Sequence, residues 1–138
     1  MTYIRLVWGS LTEWLDDYGR AWTERDPDAA AELFAEDALY QWGPFGRKLR
    51  GRPLIREAWA EATESQENVE FGYEVLSASQ HGGLVRWWSA YDELGREIHV
   101  RNEGVFRLTF DDEGLCKSLE EWFNSDEAPL DGTEPPSV

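Results

Sequence analysis

The sequence predicts an α+β domain in which three N-terminal helices pack in the concave face of a strongly curved antiparallel sheet, a cone-shaped α+β barrel. Three observations predict it. Apolar residues recur at helical spacing only in the first half of the chain, as in Leu11, Trp14, Leu15, Tyr18 and Trp22. From Val69 onward the period changes to two, in four runs split by turns short enough to join antiparallel neighbours. A length of 138 residues suits one domain. Helices segregated from such a sheet have a face of it to cover, and a long twisted sheet curls around them into a cone with a hollow.

Each element has its own signal. Ser10 with Glu13 is a capping-box pattern, which predicts a first helix from there to about Arg25. Asp26 followed by Pro27 supplies a cap and a first-turn proline for a short second helix whose apolar face includes Ala30, Leu33 and Phe34. From Ala38 to Trp42 the alternation is that of a strand, which Gly43 and Pro44 end; Phe45 to Arg50 is its candidate hairpin partner. After Gly51, Pro53 opens a third helix with Leu54, Ile55, Ala58, Trp59 and Ala62 on its stripe, up to about Thr63. Val69 to Val75, "GGLVRWWSAYDELG", "REIHVRNEGVFRLTF" and "LCKSLEEWF" are the four meander strands. The domain is expected over residues 1–124, and 125–138, rich in Pro and acid, is expected to be a disordered tail.

Composition excludes several functions. A net charge of −15 repels phosphate backbones and anionic membranes, so neither nucleic acid nor a membrane is an expected partner. Cys116 is the single cysteine, no run is long enough to span a membrane, and "MTYIRLVWGS" lacks the form of a signal peptide; the expected location is the cytoplasm. His81 and His99 stand apart without ligand spacing, and "HGGLV" lacks the strand-to-helix context of a phosphate loop. No metal and no cofactor are expected.

The segments "YGRAWTERDPDAAAELFAEDALY", "LRGRPLIREAWAEA" and "GVFRLTFDDEGLCKSLEEWF", in that order and spacing, resemble the nuclear transport factor 2-like superfamily, which includes SnoaL-like polyketide cyclases and ketosteroid isomerases. The resemblance covers most of Leu11 to Phe123. It implies the cone fold and leaves the reaction open, since the fold hosts isomerases, cyclases, dehydratases, epoxide hydrolases and binding modules. Ketosteroid isomerases pair a carboxylate base with a tyrosine and a protonated aspartic acid. Carried over by spacing, the tyrosine falls at Tyr18, the base at Trp42 and the second acid near Phe106. Both carboxyls are thus replaced by rings, and that chemistry requires another acid entering the cavity from a different strand.

Candidate site residues follow, each with two readings. Tyr18 is either a core ring or a hydroxyl aimed into the hollow. Tyr40 and Trp42 share a strand face, and with Trp59 and Phe106 they are the candidate ligand-binding wall or else dry core. Alternation from Phe106 and Leu108 puts Asn102 inward, where its amide can orient a ligand, and puts His99, Arg101 and Glu103 outward. A bulge at Gly104 would exchange those faces and make His99 and Glu103 an acid/base pair. Glu121 is inward if Leu119 is, which makes it a buried general base; otherwise it is a solvated or Arg-paired carboxylate. The expected function is binding of a small hydrophobic or aromatic ligand in an apolar pocket, with lyase, isomerase or hydrolase activity. The alternative is a binding module. Trp87 and Trp88 are neighbours on one strand and cannot both face inward, so a homodimer through the outer sheet face is expected.

Overall fold

The computed structural model describes residues 2–131, with side chains from Ser10 onward. Helix α1 spans Thr2–Thr23, α2 Pro27–Glu32 and α3 Arg52–Thr63; the strands are β1 Phe34–Gln41, β2 Lys48–Arg50, β3 Gln66–Ser79, β4 Gly82–Glu93, β5 Ile98–Phe110 and β6 Cys116–Pro129. Ser10 does not cap α1 but lies inside it, because no proline between Thr2 and Ser10 stops the helix from extending backwards. At its other end Arg25 takes a left-handed conformation (φ 51°), and the Asp26 amide bonds the Ala21 carbonyl at 2.9 Å, which turns the chain sharply. The Asp26 side chain then caps α2 through the Ala29 amide at 3.1 Å.

Phe34 is the first residue of β1, not the last of α2. The Cys116 amide reaches the Leu33 carbonyl at 3.0 Å, so strand pairing with β6 captures the chain where local propensity would continue the helix. That pairing also corrects the expected sheet. The order is β2-β1-β6-β5-β4-β3, with β1 parallel to β6 and all other neighbours antiparallel. The sheet is therefore mixed, and β2 and β3 remain as edges, so it does not close into a barrel. A second difference lies at the C-terminus. β6 continues five residues into the expected tail, pairing as far as Ile98 with Pro129, held by the ion pairs Arg101–Asp126 at 2.5 Å and Arg96–Glu127 at 2.8 Å. The last seven residues of the expected tail lie outside the described residues.

The ladder between β4 and β5 runs without a register shift, so the bulge at Gly104 does not form. The glycine has another use. A Cβ there would stand 1.9 Å from the Trp122 carbonyl oxygen, so β5 and β6 approach as closely as they do because position 104 has no side chain. Between helices and sheet lies a continuous core of rings. Trp14 stacks on Tyr18 at 5.3 Å, Tyr18 meets Phe106 edge-on at 5.6 Å, and Phe106 stacks on Trp87 at 4.8 Å.

Candidate functional site

The helices do not fill the concave face completely. A cavity of about 230 Å³ opens beside the ring core, and side chains from α1, β1, α3, β4, β5 and β6 line it. Its depth is built from α1, β1 and β6. The parallel pairing of β1 with β6 sets Tyr40 opposite Leu119, two residues before Glu121 and on the same side of the strand, and the stripe of α1 brings Tyr18 down onto the same spot. Tyr40 Oη donates to Glu121 Oε1 at 3.0 Å, and the Tyr18 and Tyr40 hydroxyls are 2.8 Å apart. Because Tyr40 has one proton and gives it to the carboxylate, Tyr18 is the donor in the pair of phenols whenever Glu121 is ionised.

Burial governs the electrostatics. Glu121 is 7% exposed and takes part in no ion pair among the described residues; removal from water pushes its pKa up to about 8, an effect that the Tyr40 hydrogen bond opposes without cancelling. At neutral pH the carboxyl is mostly protonated. Tyr18 and Tyr40 are pushed well above the ordinary phenol value by burial first and by the neighbouring Glu121 charge second, so both stay neutral. Burial also raises the Cys116 thiol, which keeps it protonated.

The sequence-derived candidates separate into groups. Tyr18, Tyr40, Trp42, Trp59, Asn102 and Glu121 all reach the cavity. Phe106 does not; it is fully buried under Trp87 and is the cross-strand partner of Glu121. The carboxyl missing from position 106 thus enters from the adjacent strand. Asn102 lies on the wall, but its amide nitrogen donates to Ser89 Oγ at 3.1 Å and its oxygen accepts from Ser125, so both ends are occupied within the protein. His99 and Glu103 are on the outer face, as the unbulged strand requires. His99 Nδ1 lies 2.8 Å from an Asp92 oxygen and Glu103 pairs with Arg86 at 2.5 Å, so the two do not form an acid/base pair.

Sequence reasoning missed several wall residues. Trp22 follows Tyr18 by one helical turn and Tyr91 follows Trp87 by two strand alternations, so periodicity carried both. Ser125 and Glu127 were hidden in the apparent tail. Arg96, from the β4–β5 turn, pairs with Glu127 beside the opening, where both are largely solvated. Trp59 Nε1 and Trp87 Nε1 are the buried side-chain polar atoms without a hydrogen-bond partner among the described residues. Trp59 meets Tyr18 edge-on at 5.3 Å and Trp87 stacks on Phe106, so both indoles sit in aromatic surroundings. Among the described residues no group of three or more His, Cys, Asp or Glu could hold a metal ion, and no helix is long and apolar enough to cross a membrane.

Chemically, the site offers one buried acid that is neutral near pH 7, ionises just above it, and is tethered through Tyr40 to Tyr18. The other carboxylate on its wall, Glu127, is not buried and is paired with Arg96. Comparison with known proteins places the fold. An epoxide hydrolase/cyclase-like enzyme, SalBIII, of pyran ring formation in the polyether salinomycin is similar with a TM-score of 0.71 at 20% identity, over 82% of this chain and 89% of that one. A Δ5-3-ketosteroid isomerase from Mycobacterium sp. is similar at 0.71 and 17% identity, over 86% and 98%. A hypothetical protein of ketosteroid isomerase-like fold from Catenulispora acidiphila, solved in complex with trimethylamine, is similar at 0.70 and 21% identity, over 80% and 84%. No curated protein sequence matches the chain. The SnoaL-like domain model matches residues 15–118, well over half of the sequence, and the chain therefore belongs to the SnoaL-like domain family of the nuclear transport factor 2-like superfamily.

Proposed function

We propose that the chain binds a small hydrophobic or aromatic molecule in the ring-lined cavity and that Glu121 transfers a proton to or from it, in a lyase, isomerase or hydrolase reaction. The observation that carries this reading is Glu121 itself. A carboxyl buried without a cationic partner is costly, and an apolar side chain would fill the same space more cheaply, so folding alone gives no reason for it. Its pKa of about 8 suits proton transfer near neutrality: protonated it is an acid, and once ionised it is a base steadied by Tyr40. The cavity of about 230 Å³ is under the roughly 300 Å³ at which drug-sized pockets begin, which favours a small ligand. Native mass spectrometry of freshly purified protein is expected to find a retained small molecule. Glu121→Gln should abolish its conversion without closing the cavity to neutral ligands. Turnover unchanged in the variant would remove Glu121 from the reaction, and retention without conversion by the wild-type chain would make this a binding module.

A second reading concerns the outer face, where Trp88 and Trp122 stand exposed and Arg86 lies 4.8 Å over the Trp88 ring. Rings exposed on a sheet face suit a partner surface, and a second copy of the chain is the proposed occupant. Light scattering at micromolar concentration should return twice the chain mass; a single-chain mass removes the reading.

A further inference from the structure

We propose that the molecule taken by this cavity is a cation, an amine or quaternary ammonium ion held among the rings with its charge against Glu121. This rests on the reading of the cavity as a ligand site. Rings reach it from several sides: Tyr18 and Trp22 from α1, Trp42 just after β1, Trp59 from α3, Tyr91 from β4 and Phe123 from β6. Such a cage attracts a positive charge through the ring quadrupoles, with Trp the strongest contributor. A neutral aromatic would also gain from the rings, so the carboxyl decides between them. Tyr40 occupies Glu121 Oε1 and leaves the other oxygen to the cavity that Glu121 lines.

Among the described residues no cation pairs with Glu121. Arg96 is the cationic side chain on the cavity wall, and it is tied to Glu127 at the opening. A neutral guest leaves Glu121 protonated, whereas a cation supplies the counter-charge that its ionised form lacks. The chain's net charge of −15 also concentrates cations around the opening. The groups facing Glu121 leave its titration in control: Tyr18 and Tyr40 stay neutral, Tyr91 is raised above the ordinary phenol value by its partial burial, Asn102, Ser125 and Trp59 carry no charge, and Arg96 and Glu127 offset each other.

The test compares benzyltrimethylammonium, whose charge does not titrate, with its neutral isostere neopentylbenzene, by calorimetry on the full chain. At pH 8.5 the cation is expected to bind at least about tenfold more tightly. Its affinity should fall by about tenfold per unit from pH 7.5 to 6, because a proton must leave Glu121 for each cation bound. Titrations at pH 6.5 in buffers of different ionisation enthalpy should then show about one proton released. Glu121→Gln should lose both the preference and the slope while still binding neopentylbenzene. Equal or tighter binding of the isostere at pH 8.5, or cation binding independent of pH with no proton released, overturns the charge assignment and leaves the cavity as a ligand site. Binding of neither probe overturns both.

Discussion

The two faces of the sheet carry the same kinds of residue at adjacent positions and use them differently. Trp87 and Trp88 are consecutive; the first is 2% exposed and stacked in the core, the second 39% exposed under a guanidinium. Glu120 and Glu121 are consecutive as well. The first meets Arg107 at 3.2 Å on the outer face, and the second is enclosed by rings with a pKa near 8. Residue type therefore sets little by itself. Which side of the strand a residue falls on, a matter of one position, decides whether an indole is core or surface and whether a carboxyl is a solvated ion or a neutral acid.

The comparison predicts its largest contrast for the tryptophans. Trp87→Ala should cost about 3–5 kcal/mol in urea denaturation, since it empties a packed site. Trp88→Ala should cost under about 1 kcal/mol, most of it the lost contact with Arg86. Equal losses would mean that the faces are not distinct. The glutamates come next. Glu121 binds its proton more tightly folded than unfolded, so its contribution to stability is full below the unfolded pKa and is lost as pH rises towards 8. Wild-type stability should accordingly fall, relative to Glu121→Gln, by about 1.4 kcal/mol per pH unit between about pH 5 and 7.5. Glu120→Gln should cost under about 1 kcal/mol at pH 7, as expected of an ion pair on the outer face. A flat difference between wild type and Glu121→Gln would break the account of the inner face.

Two smaller effects sharpen the geometry. Gly104→Ala should cost about 1–3 kcal/mol, because the methyl group must push β6 away from β5. Tyr40→Phe should cost about 1 kcal/mol above pH 8 and less below it, because its hydroxyl supports the ionised form of Glu121. The same change should move the Glu121 titration upward in a carboxyl-resolved NMR experiment.

Much of the fold was legible because it is written in local periodicity. The stripe of α1 and the alternation of Val100, Asn102, Phe106 and Leu108 fix which sides face the core, and Leu119 and Glu121 share the buried side of β6, a side that the strand's own alternation left open. What was not legible depends on distant partners. Nothing near Phe34 signals that it pairs with Cys116, so the helix was expected to run through it and the sheet to be wholly antiparallel. The end of β6 is polar because Asp126 and Glu127 pair with arginines of the neighbouring strand and turn, and a polar strand looks like a tail. The joining of Tyr18, Tyr40 and Glu121 spans separations of 22 and 81 residues, so each ring and the acid could be nominated, but not their contact. Asn102 was nominated on its face alone, and only the flanking Ser89 and Ser125 show that its amide is already committed.

The central claim is that the inner face holds one carboxyl in its neutral form at physiological pH. Its most direct test is a carboxyl ¹³C NMR titration of the folded protein with selectively labelled glutamate, with Glu121→Gln used to assign the resonance. The account predicts a midpoint near 8 for Glu121. A midpoint in the ordinary glutamate range, about 4.3, would contradict it.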